Sequence, residues 1–459
     1  MTSALQQAVY GPEVEHRLVA EFRRAADHAP AYRTLLHEQG VRVDQVRDLR
    51  TFSSLCPLLS RSNTFDRFPL AELNAGGRLH TIAGVLTSSG HGGRFSFGVI
   101  SRNEAAGSAA FVDDALDAAF AVTSRATLLI NCLPMGVGLA SNCMTVATTS
   151  VREDMAVALV QAFGSDYEQI ILVGDPLFMK RLTDYAADRV DWRRHRVNVV
   201  LGEEVFGEHF RGYVAGCLGL NLDRPADGYI MSSLGAAELG LNLGFETPAT
   251  IALRRRAVAD PSFAADLLGG EIGPGQCVPM IFGFNPLRTF IEVVEPDPRG
   301  YGDMTVSMLD PDRAVPLLRY QTGDVARLLD GAHVAAAARR HGVEVQDVPG
   351  ALLAFQGRNK EALPNGSQAG FYKDAIYANH ALARQLTGAF RLVFSGGEGT
   401  MHVQLVRGQA PDPSVEQGIL REIPAGARPA RLVVWPYADF PYGMGLDYER
   451  KFTYYAPGA

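Results

Sequence analysis

Apolar positions fall into a helical period almost at once. After Pro12, which suits the first turn of a helix, Val14, Leu18, Phe22 and Ala26 share one face and predict an amphipathic helix. A second helix is predicted after Ser101, whose hydroxyl can bond forward to the amide near Glu104 while Glu104 reaches back, ahead of an apolar run through Ala109, Val112, Leu116 and Phe120. This helix is expected to start just after a glycine-rich segment at 90–93. Short unbroken apolar runs (Thr127 to Cys132, Gln169 to Val173, Val197 to Leu201, Tyr229 to Ser232) then alternate with helical patterns and predict buried strands of a layered α/β core. From 278 to 329 the pattern changes: Phe290 to Val294, Met304 to Leu309 and Val325 to Leu329, separated by Asp, Pro and Gly, predict a small β-rich subdomain. Past Gly357 comes a hairpin pattern within 391–406 around Ser395 to Gly399, a short helix over 414–421 and a strand from Arg431 to Trp435. The predicted organisation is a large α/β domain over 1–356 followed by a small α+β domain over 357–459.

Composition narrows the class. A chain of 459 residues with 47% hydrophobic and 20% charged residues can bury a large core, and its 47 glycines and 25 prolines are scattered rather than gathered into a low-complexity tract. A net charge of -7 argues against a nucleic-acid partner, which needs clustered cations to displace counterions. The short runs Arg193 to Arg196 and Arg254 to Arg256 read as solvated faces. No basic segment followed by an apolar one opens the chain, and no run approaches the roughly 18 apolar residues of a membrane span, so a cytoplasmic protein is expected. The five cysteines are far apart, with no metal-ligand spacing, and read as buried free thiols.

Candidate chemistry concentrates in Thr87-Ser88-Ser89-Gly90-His91-Gly92-Gly93-Arg94. Glycines and hydroxyls this dense expose backbone amides and let the chain approach closely, as a phosphate chain requires. A Gly-Lys-Ser/Thr ending is missing, so this is not a Walker loop. Four segments follow in order: Gly202-Glu203-Glu204, Leu234-Gly235-Ala236-Ala237-Glu238, Arg319-Tyr320-Gln321-Thr322-Gly323-Asp324 and Gly357-Arg358. In that order they resemble the motifs of the adenylate-forming enzymes. Ala29 to Arg33 and Cys56 to Arg61 are similar to the phenylacetate-coenzyme A ligase branch in particular.

The resemblance implies ATP and Mg²⁺ as cofactors and assigns roles position by position. Ser88, Ser89, Gly90, His91, Gly92 and Gly93 would hold the β- and γ-phosphates, and Glu238 would hold Mg²⁺ as a hard oxygen ligand. Asp324 would accept from the ribose hydroxyls, Gly202, Glu203, Glu204, Leu234, Gly235 and Ala236 would line the adenine slot, and Arg358 would reach ribose or phosphate. Lys451, near the end of the small domain, is implied as the catalytic cation bridging the acid and the α-phosphate. The acid pocket is expected between Leu133, Met135 and Gly136 on one side and Met231 and Ser233 on the other; its apolar lining suits an aromatic or other hydrophobic carboxylic acid. The resemblance further implies a homodimer, no membrane, and acyl transfer to coenzyme A. An amine or nitrite as co-substrate, or a degenerate nucleotide-binding protein, are the alternatives. They draw on real departures from the family pattern: His91 for a hydroxyl residue, Gly93-Arg94 for a Pro-Lys ending, Leu234 for an aromatic, Ala237 for Thr, Gln321 for Arg, and Asn359-Lys360 where a hinge Asp is expected.

Overall fold

The computed structural model describes residues 8–87, 95, 97–134, 136–224, 226–358, 363–395, 397–443 and 448–455. The Pro12–His28 helix forms as its period predicts and buries Val14, Leu18, Phe22 and Ala26. Phe22 meets Phe52 edge-on at 6.2 Å, and Phe52 meets Phe290 at 6.2 Å, so aromatic contacts tie the N-terminal helices to the sheet behind them.

Sixteen strands are present among the described residues. β1 (Ile82–Thr87) and β2 (Phe97–Ser101) form an antiparallel hairpin. Eleven more form one sheet: β3 (Thr127–Asn131), β4 (Thr145–Thr148), β5 (Gln169–Gly174), β6 (Val197–Leu201), β7 (Ile230–Ala236), β8 (Gly240–Phe245), β9 (Met280–Gly283), β10 (Thr289–Val294), β11 (Gly302–Met308), β12 (Tyr320–Asp330) and β13 (Ala351–Arg358). Their order is β10-β11-β12-β13-β9-β8-β7-β6-β5-β3-β4. β4, β3, β5, β6 and β7 run parallel, and from the β7–β8 pair onward every pairing is antiparallel. Every residue of β3, β5 and β6 is buried, which is why these parallel strands read as continuous apolar runs in the sequence.

The segment 278–329 is β-rich with antiparallel pairings, and β9 to β12 extend the large sheet, with β13, from beyond that segment, inserted between β12 and β9. The Ser101–Glu104 capping box is present, with Ser101 Oγ accepting from the Glu104 amide at 3.0 Å and Glu104 Oε2 accepting from the Ser101 amide at 2.8 Å. The Arg102–Phe120 helix, however, does not follow the glycine-rich segment directly, because β2 intervenes.

The remaining strands, β14 (Leu386–Ser395), β15 (Glu398–Leu405) and β16 (Arg431–Trp435), form a three-stranded sheet. The Pro413–Glu422 helix buries Val415 and Ile419, and β14 buries Phe390 and Leu392. The chain end then runs beside β14, with the Leu392 amide donating to the Tyr454 carbonyl at 2.7 Å. The overall class is α/β: a large layered N-terminal part with a small α+β C-terminal part. No helix among the described residues is long and apolar enough to cross a membrane.

Candidate active site

Carboxyl ends of parallel strands collect on one edge of a sheet, and an open cleft there is the usual place for a ligand. Here β3 delivers Leu133, β5 delivers Asp175, β6 delivers Gly202 to Glu204, and β7 continues through Ser233 to a turn carrying Glu238. A cavity of about 1050 Å³ opens above these ends. Its lining includes Leu133, Gly202, Glu203, Met231, Ser233, Gly235, Ala236, Glu238, Asp324, Arg358 and Lys451. Segments more than 300 residues apart in sequence therefore meet around one space.

The turn bearing Glu238 is held from several directions. Tyr320, the first residue of β12, donates its hydroxyl to Glu238 Oε1 at 3.0 Å, and burial together with that carboxylate pushes the phenol far above its ordinary range. Arg313 donates to the carbonyls of Glu238 (2.8 Å) and Leu239 (3.1 Å) and pairs with Glu104 at 3.3 Å. Gly98 of β2 must be glycine, since a Cβ there would lie 1.8 Å from the Ala237 carbonyl oxygen. The hairpin that flanks the glycine-rich segment is thus pressed against the Glu238 turn.

Asp324 and Arg358 face each other across the β12–β13 ladder, Arg358 Nε lying 3.6 Å from Asp324 Oδ1. Lys451 enters from the chain end: its Nζ donates to the Glu203 carbonyl at 2.8 Å and lies 3.1 Å from Glu203 Oε2. Glu203 adopts a φ of 72°, a left-handed conformation rare without glycine, which aims both its carbonyl and its carboxylate at this lysine. Ser150, whose hydroxyl donates to Glu449 Oε1 at 2.9 Å, and Phe178, in edge contact with Tyr448 at 5.8 Å, fasten the segment just before Lys451.

Some expected site residues lie elsewhere. Glu204 turns away from the main cavity and pairs with Lys373 at 3.2 Å. Leu234 packs against the main core rather than lining the cavity, and Gly136 is outside the lining as well. The strand pleat accounts for Leu234, whose side chain points to the face opposite that of Ser233. Ser88 to Gly93 and Met135 lie outside the described residues. Arg313, Tyr320 as a hydrogen-bond partner, Gly98 and Asp175 were not singled out from the sequence. Asp175-Pro176 after a buried strand signals only a helix cap, which it is: Oδ1 accepts from the amides of Leu177 (2.9 Å) and Phe178 (3.0 Å). Two bulk readings also change. Arg254 is buried rather than solvated, and of the five cysteines only Cys56 and Cys132 are buried while Cys143 is exposed.

Among the described residues no cluster of three or more His, Cys, Asp or Glu could hold a metal ion unaided. Glu238 is the carboxylate that could serve a hard cation keeping waters and sharing phosphate oxygens: Oε1 accepts from Tyr320, and among the described residues none donates to Oε2.

No family model matches this chain, and no curated protein does. Solved structures do. Over 97% of this chain and 89% of the other, the fold is similar to 2-hydroxyisobutyryl-CoA ligase in the postadenylation state in complex with R3-HIB-AMP, at a TM-score of 0.65 and 13% identity. Against the same ligase in complex with 2-HIB-AMP and CoA in the thioesterification state, the match covers 97% and 88% at a TM-score of 0.54 and 13% identity. An open conformation with 2-HIB-AMP and CoA gives a TM-score of 0.54 at 13% identity, over 97% and 91%. The similarity is one of fold, and it is greater to the postadenylation structure of that ligase than to the other two.

Proposed function

We propose that this chain is an AMP-forming ligase that adenylates a hydrophobic or aromatic carboxylic acid with ATP, releases pyrophosphate and passes the acyl group to a nucleophile. The observation that carries this reading is the convergence of Glu238, Asp324, Arg358, Glu203 and Lys451 on one cavity. The fold shared with a ligase that binds acyl-AMP intermediates supports it.

In this reading the apolar end of the cavity, lined by Val112, Leu116, Leu133, Leu139 and Met231, takes the body of the acid. The Ser233 hydroxyl, which donates to Asn242 Oδ1 at 2.9 Å, sets a polar limit to that end. Asp324 accepts from the ribose hydroxyls, and Gly235 and Ala236 leave room for the flat base. Mg²⁺, held at Glu238, would neutralise phosphate charge and stabilise departing pyrophosphate. Lys451 exchanges its contact with Glu203 for the acid and the α-phosphate as charge develops between them. Ser88 to Gly93 would cradle the β- and γ-phosphates, and residues 357–459 would act as a lid. The branch resembling phenylacetate-coenzyme A ligases makes coenzyme A the expected acceptor, with an amine as the alternative.

Carboxylate-dependent exchange of labelled pyrophosphate into ATP tests the first half-reaction. A broad panel of aryl and alkyl acids is expected to contain at least one that supports exchange in the presence of Mg²⁺. Absence of exchange across the panel with folded protein overturns the reading.

A further inference from the structure

A second, smaller cavity of about 200 Å³ lies between the parallel-strand ends and the small C-terminal sheet. Pro134, Asp175 and Glu203 line it from the body, at the carboxyl ends of β3, β5 and β6; Arg391 of β14, Tyr442 and Tyr448 line it from the other side. Glu203 and Lys451 line both cavities, so among the described residues this pair stands between the proposed acyl-adenylate and the smaller space.

The charges around it do not close on one another. Glu203 is matched by Lys451, Glu204 by Lys373, and Glu449 accepts from the Ser150 hydroxyl at 2.9 Å; Arg450, also in the lining, is exposed and has a partner of its own. Asp175 and Arg391 each keep one unpartnered polar atom. Asp175 spends Oδ1 on the two amides of its helix cap, while Oδ2 is shielded from solvent and has no hydrogen-bond partner. Arg391 stacks over Tyr442 at 5.1 Å and Phe452 at 6.0 Å, yet its Nε is likewise shielded and unpartnered. Among the described residues no carboxylate lies within ion-pair distance of it. An unanswered acceptor and an unanswered donor of opposite charge, on opposite walls of one cavity, are costly unless a ligand supplies both partners. Burial first, with Glu204 and Glu203 adding to it, raises the Asp175 carboxyl to about 7.

We propose that this cavity is the acceptor site and takes a zwitterionic α-amino acid, its ammonium on Asp175 and its carboxylate on Arg391, for amide bond formation with the adenylated acid. The proposal rests on the adenylation reading and replaces coenzyme A as the acceptor. The volume holds roughly six water-sized groups at about 30 Å³ each, which suits a small amino acid. In the transfer, one ammonium proton passes to the Asp175 carboxylate and frees the amine lone pair. The nitrogen attacks the acyl carbon across the Glu203–Lys451 partition, the C–N bond forms, and the bond from acyl carbon to phosphate oxygen breaks with its electron pair leaving on AMP. The second proton on nitrogen goes to solvent.

The experiment has two arms. Saturation-transfer NMR with alanine and the protein alone, without ATP or acid, is expected to show contact in wild type and at least a fivefold weaker signal in Asp175→Asn and in Arg391→Met. Asn caps a helix as well as Asp does, so the first variant keeps the local fold. With an acid that supports exchange, ATP, Mg²⁺ and alanine, mass spectrometry is expected to find the N-acyl amino acid, and its formation falls at least tenfold more than exchange does in either variant. Methylamine and propionate, each carrying half of the zwitterion, are expected to give no comparable NMR signal. Loss of exchange alone sinks the adenylation reading and leaves the NMR arm standing. No alanine contact, a contact indifferent to both variants, or an acyl-CoA as the product overturns the amino-acid site.

Discussion

Two groups of sheltered charges in this molecule behave in opposite ways. Behind β7, Glu208, Arg211, Glu246 and Arg254 answer one another: Arg211 donates to Glu246 at 2.8 Å and to Glu208 at 2.9 Å, Arg254 donates to Glu208 at 3.1 Å, and Glu246 accepts from the Ser232 amide at 2.9 Å. Arg211 also donates to the Ile230 carbonyl, so the cluster grips the strand that carries Met231, Ser233 and Gly235. In front of β5, Asp175 and Arg391 each keep a valence unspent beside a cavity. A network that closes on itself is scaffold; one that stays open beside space is prepared for something that arrives. Glu203 and Lys451 fall between these cases, since they are paired with each other but face the main cavity.

Breaking the closed group is expected to have the largest effect on stability. Arg211→Met strands two carboxylates that are almost wholly buried, at a cost of about 3–5 kcal/mol. Urea denaturation should show that loss, and a change under 1 kcal/mol would mean the cluster is no scaffold. Lys451→Ala tests the intermediate case. Removing a preorganised charge from the reacting centre is expected to slow pyrophosphate exchange roughly 100- to 1000-fold while leaving the urea midpoint nearly unmoved. An unchanged exchange rate moves the catalytic role elsewhere.

The closed and open groups were not equally visible in the sequence. Parallel strands buried on both faces announce themselves, because apolar residues dominate Thr127 to Asn131, Gln169 to Gly174 and Val197 to Leu201, and the few polar ones, Thr127, Asn131, Gln169 and Asn198, are buried and hydrogen-bonded. The Ser101–Glu104 cap, the 395–398 hairpin turn and the ordered glycine-rich motifs are local, and local signals survive in one dimension. Arg254 did not survive it. Inside the run Arg254-Arg255-Arg256, successive helical positions are about 100° apart, so only the first points inward, and its partner Glu208 lies 46 residues away. The β2 strand was hidden for a different reason: its burial does not alternate, with Gly98, Val99 and Ser101 buried and Phe97 exposed, and Gly98 is fixed by a contact with Ala237 that no spacing reveals. The second cavity is the extreme case, as its two walls come from β5 and β14, more than 200 residues apart.

The open group carries a pH signature of its own. The Asp175 carboxyl titrates near 4 in an unfolded chain and at about 7 here. Between those values the folded protein retains a proton that the unfolded chain has released, so this residue's contribution to stability falls as pH rises from about 4 to 7 and stays lost above it. Asparagine has no such proton. Asp175→Asn is therefore expected to gain on wild type by on the order of 2–4 kcal/mol between pH 4.5 and pH 8, in urea denaturation at both values. Parallel profiles would mean that Asp175 is ionised throughout, with a donor already bound to it.

The smallest effect sharpens the comparison within one run of three residues. Arg256 lies two positions from Arg254 on the Pro248–Ala259 helix but faces solvent, 2.7 Å from Asp260. Asp260 already caps the next helix, accepting from the amides of Ser262 and Phe263, and those bonds do not need Arg256. An exposed pair one helical turn apart is screened by water and salt and gives back in side-chain entropy much of what it gains. Arg256→Gln should move the thermal midpoint by about 1 °C or less. Arg254→Met should move it several times further, because it removes a partner of buried Glu208 and donors to the carbonyls of Phe206 and Val278. Equal shifts for the two would mean that burial of a charge in this helix carries no more weight than its exposure, and the distinction between the closed cluster and an ordinary charged face would fall.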